Sequence, residues 1–101
     1  MDDDSRVATV ARALAHPSRV RIVKLLAAQT ECRGADVFGE LPLAQSTISE
    51  HLRVLKDAGI VTSRPDGPGM VYCLAPGAFD DFIDAVTGIA NTHCLVEGKG
   101  C

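Results

Sequence analysis

Four cysteines carry the most reactive chemistry in this 101-residue chain: Cys32, Cys73, Cys94 and Cys101. No apolar run approaches the length of a membrane span, and the start MDDDSR is too acidic for a secretory leader. We therefore expect a cytoplasmic protein without membrane contact. Because cytoplasmic thiols stay mostly reduced, metal binding or redox chemistry is favoured over structural disulfides, although a buried cysteine can also simply fill space.

The basic residues are concentrated in the middle of the chain. Nine of the ten Lys and Arg residues lie between Arg6 and Arg64, where five acidic residues leave a local charge of +4. Residues 65–101 carry −4, and three aspartates before Arg6 supply the remaining −3. A basic body between acidic ends favours an anionic partner that is bound by the body alone.

The segment AQSTISEHLRVLKDAG, residues 44–59, is the clearest helix in the sequence. Ile48, Leu52 and Leu55 form one apolar stripe, and Gly59 is a suitable stop signal. The opposite side suits contact with DNA, although a solvated face of an ordinary amphipathic helix would look the same. The candidate DNA-binding residues are Gln45, Ser46, Thr47, Ser49 and Glu50 near the bases and Arg53 and Lys56 near phosphates.

The remaining elements predict a mainly α fold with a small β wing. Helices are expected from Ser5 and from Pro17, then a short strand at residues 30–33 and a short helix at residues 34–41. After the helix at 44–59, IVTS and MVYCL flank RPDGPG as a hairpin that bears Arg64, and a last helix follows Pro76. This order is the outline of a winged helix-turn-helix covering residues 1–92, with a flexible cysteine-containing tail at residues 93–101.

Three stretches carry a resemblance to a known family: ALAHPSRVRIVKLL, LPLAQSTISEHLRVLKDAGIV and MVYCL. Together they resemble the arsenic- and metal-responsive ArsR/SmtB repressors over residues 7 to 90. The resemblance implies a homodimer built through the first and last helices that releases operator DNA when a metal or metalloid binds. By position, Gln45, Ser46, Ser49 and Glu50 match the family's base-reading residues.

Two positions of the reading helix depart from the family pattern. Ala44 stands where a capping Ser is usual, a loss of about 1 kcal/mol at the helix start. Glu50 stands where a basic or neutral residue is commoner, so it would repel a phosphate but select a cytosine amino group. The operator sequence is therefore not carried over from the family.

Two ligand sites that the resemblance implies are incomplete in this sequence. The arsenite site on the third helix needs Cys-x-Cys, and TECRGAD has Cys32 alone. The zinc site on the last helix is also incomplete: Asp80 and His93 have compatible spacing, but Phe82 and Val96 replace the other two ligands. Zinc in that arrangement is not expected.

The tail thiols remain as the predicted sensor. Some arsenic-responsive members of the resembled family keep thiols in this region, and the glycines between Cys94 and Cys101 would let the tail fold back. Soft thiolates favour thiophilic ions, so the predicted effector is As(III), as arsenite or methylarsenite, or Sb(III). Cys73 is the candidate third ligand, and no organic cofactor is expected.

Several alternatives remain open at this point. A strand after the second helix that pairs with the wing would place Cys32 beside Cys73, as a second metalloid site or a regulatory disulfide, although ordinary burial is the favoured interpretation of Cys32. The repressor could also sense redox state or respond to Cd, Pb or Zn. A thiol enzyme is disfavoured because the chain has no Cys-x-x-Cys motif.

Overall fold

The computed structural model describes residues 3–29, 31–39 and 41–92, and its elements follow the predicted order. The helices are α1 (Asp3–Leu14), α2 (Pro17–Ala27), α3 (Gln45–Asp57) and α4 (Asp80–Ala90). The strands are β1 (Arg33–Gly34), β2 (Val61–Asp66) and β3 (Gly69–Leu74), and a 3-10 turn at Ala35–Phe38 follows β1. This arrangement is a winged helix-turn-helix, as the sequence predicts.

Some predicted boundaries were wrong. Helix α1 begins at Asp3, so Ser5 lies inside the first turn rather than capping it. The short helix expected at residues 34–41 is a single 3-10 turn, because only four residues separate β1 from the loop that leads to Pro42. The two wing strands are longer than predicted and leave only Gly67 and Pro68 between them.

Helix α3 is held by its apolar stripe. Ile48, Leu52 and Leu55 are buried in a core that also contains Ile22 of α2 and Phe38 of the 3-10 turn. Residues three and four apart share one face of a helix, so this stripe turns the opposite side of α3 outwards. The orientation of the polar face is therefore set by the core.

The end of α3 connects directly to the wing. Gly59 has φ +80°, the Gly59 amide donates to the Lys56 carbonyl, and the Ile60 amide donates to the Leu55 carbonyl, each at 3.0 Å. These two bonds are those of a Schellman motif, in which glycine favours the left-handed position. Because Leu55 and Ile60 are both fully buried, the motif joins the helix end to the first wing strand.

The sheet has the order β1-β3-β2, with both pairs antiparallel. Val61 is opposite Leu74 at the base of the wing, and Asp66 is opposite Gly69 at its tip. Pro65 is tolerated within β2 because β2 is an edge strand, where a missing backbone donor leaves no sheet bond unmade. On the other side of β3, Arg33 is opposite Tyr72 and Gly34 is opposite Val71.

Helices α1 and α4 pack against each other beside this body. The Arg6 guanidinium of α1 lies 3.6 Å from the Asp81 carboxylate of α4. The outer side of α4 keeps large apolar side chains in solvent: Ile83 is 54% exposed, Val86 45% and Ile89 76%. An apolar strip of this kind on a small protein favours a further packing partner.

The start of α3 provides a direct test of local stability. Ala44 is the N-cap residue, with extended backbone angles and no side-chain cap hydrogen bond. We expect Ala44→Ser to raise the free energy of unfolding by about 1 kcal/mol, because a serine hydroxyl can accept from a free amide of the first turn. Thermal or denaturant unfolding measures the change. Ala44→Val is the matched control, and equal stability of the two variants would contradict the capping argument.

Candidate functional site

The polar face of α3 is the first candidate site. All seven residues predicted on this helix to contact DNA have exposed side chains: Gln45, Ser46, Thr47, Ser49, Glu50, Arg53 and Lys56. Hydroxyl and amide groups at the start of an exposed helix can reach base edges in a major groove. Ser46, Ser49, Glu50 and Arg53 lie on the side opposite the buried stripe, and Gln45, Thr47 and Lys56 lie at the margins of that side.

Two acidic neighbours hold Arg53, which the sequence marks as a phosphate contact. Its Nε donates to Glu50 Oε2 at 3.0 Å, its Nη2 donates to Glu50 Oε1, and its Nη1 donates to Asp57 Oδ2 at 2.9 Å. The hydrogen bond from Arg53 lowers the pKa of the Glu50 carboxyl group. The same hydrogen bond raises the pKa of the Arg53 guanidinium. A phosphate must therefore compete with two carboxylates for this guanidinium.

The wing supplies a further cation. Arg64 lies in β2 opposite Val71 of β3, and its side chain is exposed. No salt bridge joins Arg64 or Lys56 to another residue within 3–29, 31–39 and 41–92. These two cations are available to a phosphate without the competition that Arg53 meets.

A buried histidine supports the reading helix from behind. His51 is only 7% exposed, and Arg19 of α2 donates from Nε to His51 Nδ1 at 3.2 Å. The His16 ring lies 4.6 Å from the His51 ring, between centroids. Burial lowers the pKa of His51 most, the electrostatic effects of His16 and Arg19 lower it further, and Glu50 opposes them. The neutral imidazole that these effects favour accepts the Arg19 bond that joins α2 to α3.

The sequence pattern does not reveal this pairing of His16 with His51. His16 is also the N-cap of α2, where its Nδ1 accepts from the Ser18 amide at 3.2 Å. The Arg19 guanidinium reaches the Arg12 and Ala13 carbonyls at 3.5 and 3.4 Å. Since Arg19 and His51 are 32 residues apart, only their packing brings them together.

The second candidate site is a pair of cysteines between the body and the wing. Cys32 immediately precedes β1 and Cys73 lies in β3, and the two form a disulfide with a Cα–Cα distance of 4.6 Å. The juxtaposition that the sequence allowed is confirmed, and the favoured interpretation of Cys32 as simply buried was wrong. Cys73 is engaged by Cys32 in this state, so its expected role as a third ligand for the tail requires reduction.

Most of the candidate DNA-binding surface belongs to the loop of chain that the disulfide closes. The two cysteines are 41 residues apart, and the chain between them contains the 3-10 turn, α3 and β2. Closing a loop of this size stabilises a fold by roughly 4 kcal/mol through the lower entropy of the unfolded chain. The pair is therefore a covalent link between the strand that follows α2 and the wing.

The remaining predicted ligands cannot be placed. Cys94 and Cys101, like His93, lie outside the described residues. Among the residues that are described, no group of three or more His, Cys, Asp or Glu side chains is arranged to hold a metal ion. Helices in the same part of the chain are too short or too polar to cross a membrane.

Comparisons with known proteins agree with this geometry. The model of bacterial regulatory proteins of the ArsR family matches residues 16–63, which include α2, α3 and the start of the wing. An uncharacterised HTH-type transcriptional regulator of Mycobacterium tuberculosis is 39% identical over 64 residues, which are 63% of this chain and 56% of that protein. The match thus spans little more than half the length of that relative.

Two further similarities extend over nearly the whole chain. The arsenical resistance operon repressor of Staphylococcus xylosus is 33% identical over 94% of this chain and 86% of its own length. A homodimeric winged helix-turn-helix DNA-binding domain from Mycobacterium bovis, solved by NMR, superposes with a TM-score of 0.66 at 26% identity, covering 96% of this chain and 89% of that one. With the exposed α3 face and the wing, these similarities show that the chain belongs to the ArsR family of bacterial regulatory proteins.

Proposed function

We propose that this chain is a cytoplasmic homodimeric repressor that binds operator DNA and releases it when cysteine thiolates bind a thiophilic metalloid. The observation that carries the DNA-binding part is the exposed polar face of α3, held outwards by a buried stripe and flanked by a wing. A helix presented in this way fits a major groove, while a wing reaches the adjacent backbone. The ArsR family consists of bacterial regulatory proteins, which supports this use of the fold.

The side chains divide by the contact that each would make. Gln45, Ser46, Thr47 and Ser49 lie at the start of α3 and would approach base edges. Lys56 and Arg64 would contact phosphates, because neither has an acidic partner within the described residues. Glu50 and Arg53 form an ion pair whose net charge is zero. This pair would therefore help to distinguish the operator from other DNA rather than add attraction to phosphates.

The proposed dimer uses the apolar strip of α4. Ile83, Val86 and Ile89 are large, exposed and spaced three residues apart, and α1 lies beside them. Two copies related by a two-fold axis would bury both strips and present two reading helices to two operator half-sites. The homodimeric state of the Mycobacterium bovis domain supports this arrangement.

The proposed effector is trivalent arsenic or antimony. Cys94 and Cys101 would supply thiolates, and reduced Cys73 is the candidate third donor. The name of the Staphylococcus xylosus relative, an arsenical resistance operon repressor, supports this ligand class. Release of DNA requires that the ligand favour a dimer geometry that fits the two half-sites poorly, which makes the effect a coupling free energy between two sites.

Titration of the reduced protein tests both parts of the proposal. We expect operator binding by the free protein, followed by release on addition of arsenite or antimonite, because soft thiolates bind thiophilic ions. Cadmium, lead and zinc are titrated in parallel, and release by one of these ions but not by arsenite or antimonite would favour a divalent-metal sensor. Cys94→Ser and Cys101→Ser should keep operator binding and lose the release, as measured by fluorescence anisotropy. Failure to bind any DNA from the organism's own promoters would contradict the repressor, and normal release by both variants would contradict the tail site.

A second function is favoured by the Cys32–Cys73 disulfide. The same repressor would sense peroxide: one thiolate attacks an oxygen of the peroxide to give a sulfenic acid and hydroxide, and the second thiolate displaces a further hydroxide to form the disulfide. Two thiols are oxidised and one peroxide is reduced to two waters. The bond would then join β3 of the wing to the segment that precedes β1.

Operator affinity in the two redox states distinguishes this function. We expect peroxide to weaken operator binding of the wild-type protein and to leave Cys32→Ser unaffected, because only the paired thiols can close the bond. Cys94→Ser is the matched control and should respond like wild type. The redox function fails if the oxidised and reduced proteins bind the operator equally well.

The role of Glu50 can be measured through the salt dependence of binding. In Glu50→Gln, Arg53 loses its bidentate carboxylate partner and becomes available to a phosphate. We expect stronger binding to unrelated DNA and a salt slope steeper by about one unit, with less discrimination for the operator. Asp57→Asn is the matched control, since it leaves the Glu50–Arg53 pair intact. An unchanged slope in Glu50→Gln would show that Arg53 does not reach DNA.

A further inference from the structure

The Cys32–Cys73 pair lies at the wall of a cavity. The cavity has a volume of about 310 Å³ and lies between the end of α2 and the C-terminal end of β3. Both cysteines are half-buried, so their sulfurs can be reached by a small molecule once the bond is reduced. The backbone holds the two residues next to each other independently of the bond, because Arg33 and Tyr72 pair in the adjacent sheet positions.

The Cys32–Cys73 pair supplies two sulfur donors to a ligand in this cavity. A reduced pair offers two thiolates, and no cluster of three or more His, Cys, Asp or Glu side chains suited to a metal exists among residues 3–29, 31–39 and 41–92. Zinc prefers four ligands in structural sites, and an arsenic(III) atom with three exchangeable oxygens is best satisfied by three thiolates. A trivalent arsenic atom that already carries one carbon substituent has two exchangeable positions, which match two thiols.

The remaining cavity wall suits the carbon substituent. Leu26 and Ala27 at the end of α2 line the cavity, together with Tyr72 and Leu74 of β3. Burial of an organic group against such a wall is favourable in proportion to the apolar area that leaves water. Gln29 and Glu31, which also line the cavity, provide a polar side at which the displaced water can leave.

We propose that the reduced Cys32–Cys73 pair is a binding site for monosubstituted trivalent arsenicals. One molecule of RAs(OH)₂ reacts with the two thiols to form two As–S bonds. Two As–O bonds break, each hydroxyl departs with a thiol proton, and two waters are released. Arsenic stays trivalent, so no oxidant or reductant is consumed. The disulfide form has no free thiol and does not bind the arsenical.

The bound arsenical would join the same two segments as the disulfide. It links the residue before β1 to β3 of the wing, and it places the organic group against the end of α2. The site is distinct from the tail thiols and does not depend on them. Its effect on DNA rests on the proposed repressor function, because the bridge would act through the position of the wing relative to α3.

The experiment uses the reduced 101-residue chain with phenylarsine oxide, which hydrates to a monosubstituted arsenical. In the Cys94→Ser/Cys101→Ser protein, which keeps only the wing pair, we expect intact mass spectrometry to show about one phenylarsenic group per chain, because two soft thiolates remain. Either Cys32→Ser or Cys73→Ser in that background should reduce binding to none. Prior oxidation to the disulfide should have the same effect.

Peptide mapping of the wild-type chain keeps the test valid if a serine variant fails to fold. Bound phenylarsine should protect Cys32 and Cys73 from alkylation, whereas the same concentration of arsenite should protect them far less. The site is overturned if Cys32 and Cys73 are alkylated at the same rate with and without phenylarsine. That result leaves the proposed function intact, since operator binding and release through Cys94 and Cys101 are measured separately.

Discussion

The rest of the structure depends on burial of one side of α3. Ile48, Leu52 and Leu55 enter a core made by α2, the 3-10 turn and the start of β2. Replacing a fully buried leucine such as Leu55 with alanine typically costs 2–5 kcal/mol, a large part of the stability of a domain of this size. The same burial decides which side of α3 faces solvent, so the core and the candidate DNA-binding surface have one physical origin.

Electrostatics on this surface differs from a simple basic patch. The Glu50–Arg53–Asp57 group pairs one cation with two anions on the exposed face of α3. Exposed ion pairs contribute little to stability, so the group is better explained by its effect on a ligand than by its effect on the fold. In the proposed complex with DNA, Lys56 and Arg64 would attract phosphates, while the paired group would limit binding to DNA of arbitrary sequence. Behind the helix, neutral His51 accepts from Arg19 and keeps α2 and α3 in a fixed relation.

The cysteine pair lies where the wing is joined to the rest of the protein. Strand β1 has only two residues, so its pairing with β3 is a short connection between the body and the wing. The disulfide between Cys32 and Cys73 strengthens that connection, and reduction leaves it to the sheet alone unless the proposed arsenic atom bridges the two thiols. The wing carries Arg64, and its position relative to α3 decides whether both can contact one stretch of DNA.

Sequence periodicity by itself determined the order of the elements, the buried stripe of α3 and the residues on its polar face. These features are local: side chains three or four residues apart share a helix face, Pro17 begins α2, and Gly59 ends α3. The extent of the wing strands was less predictable, because RPDGPG contains residues that usually mark turns, whereas edge-strand pairing extends through Pro65. Only the tertiary structure decided the Cys32–Cys73 pair and the Arg19–His51 bond. These join residues 41 and 32 positions apart, so each is set by packing and not by local pattern.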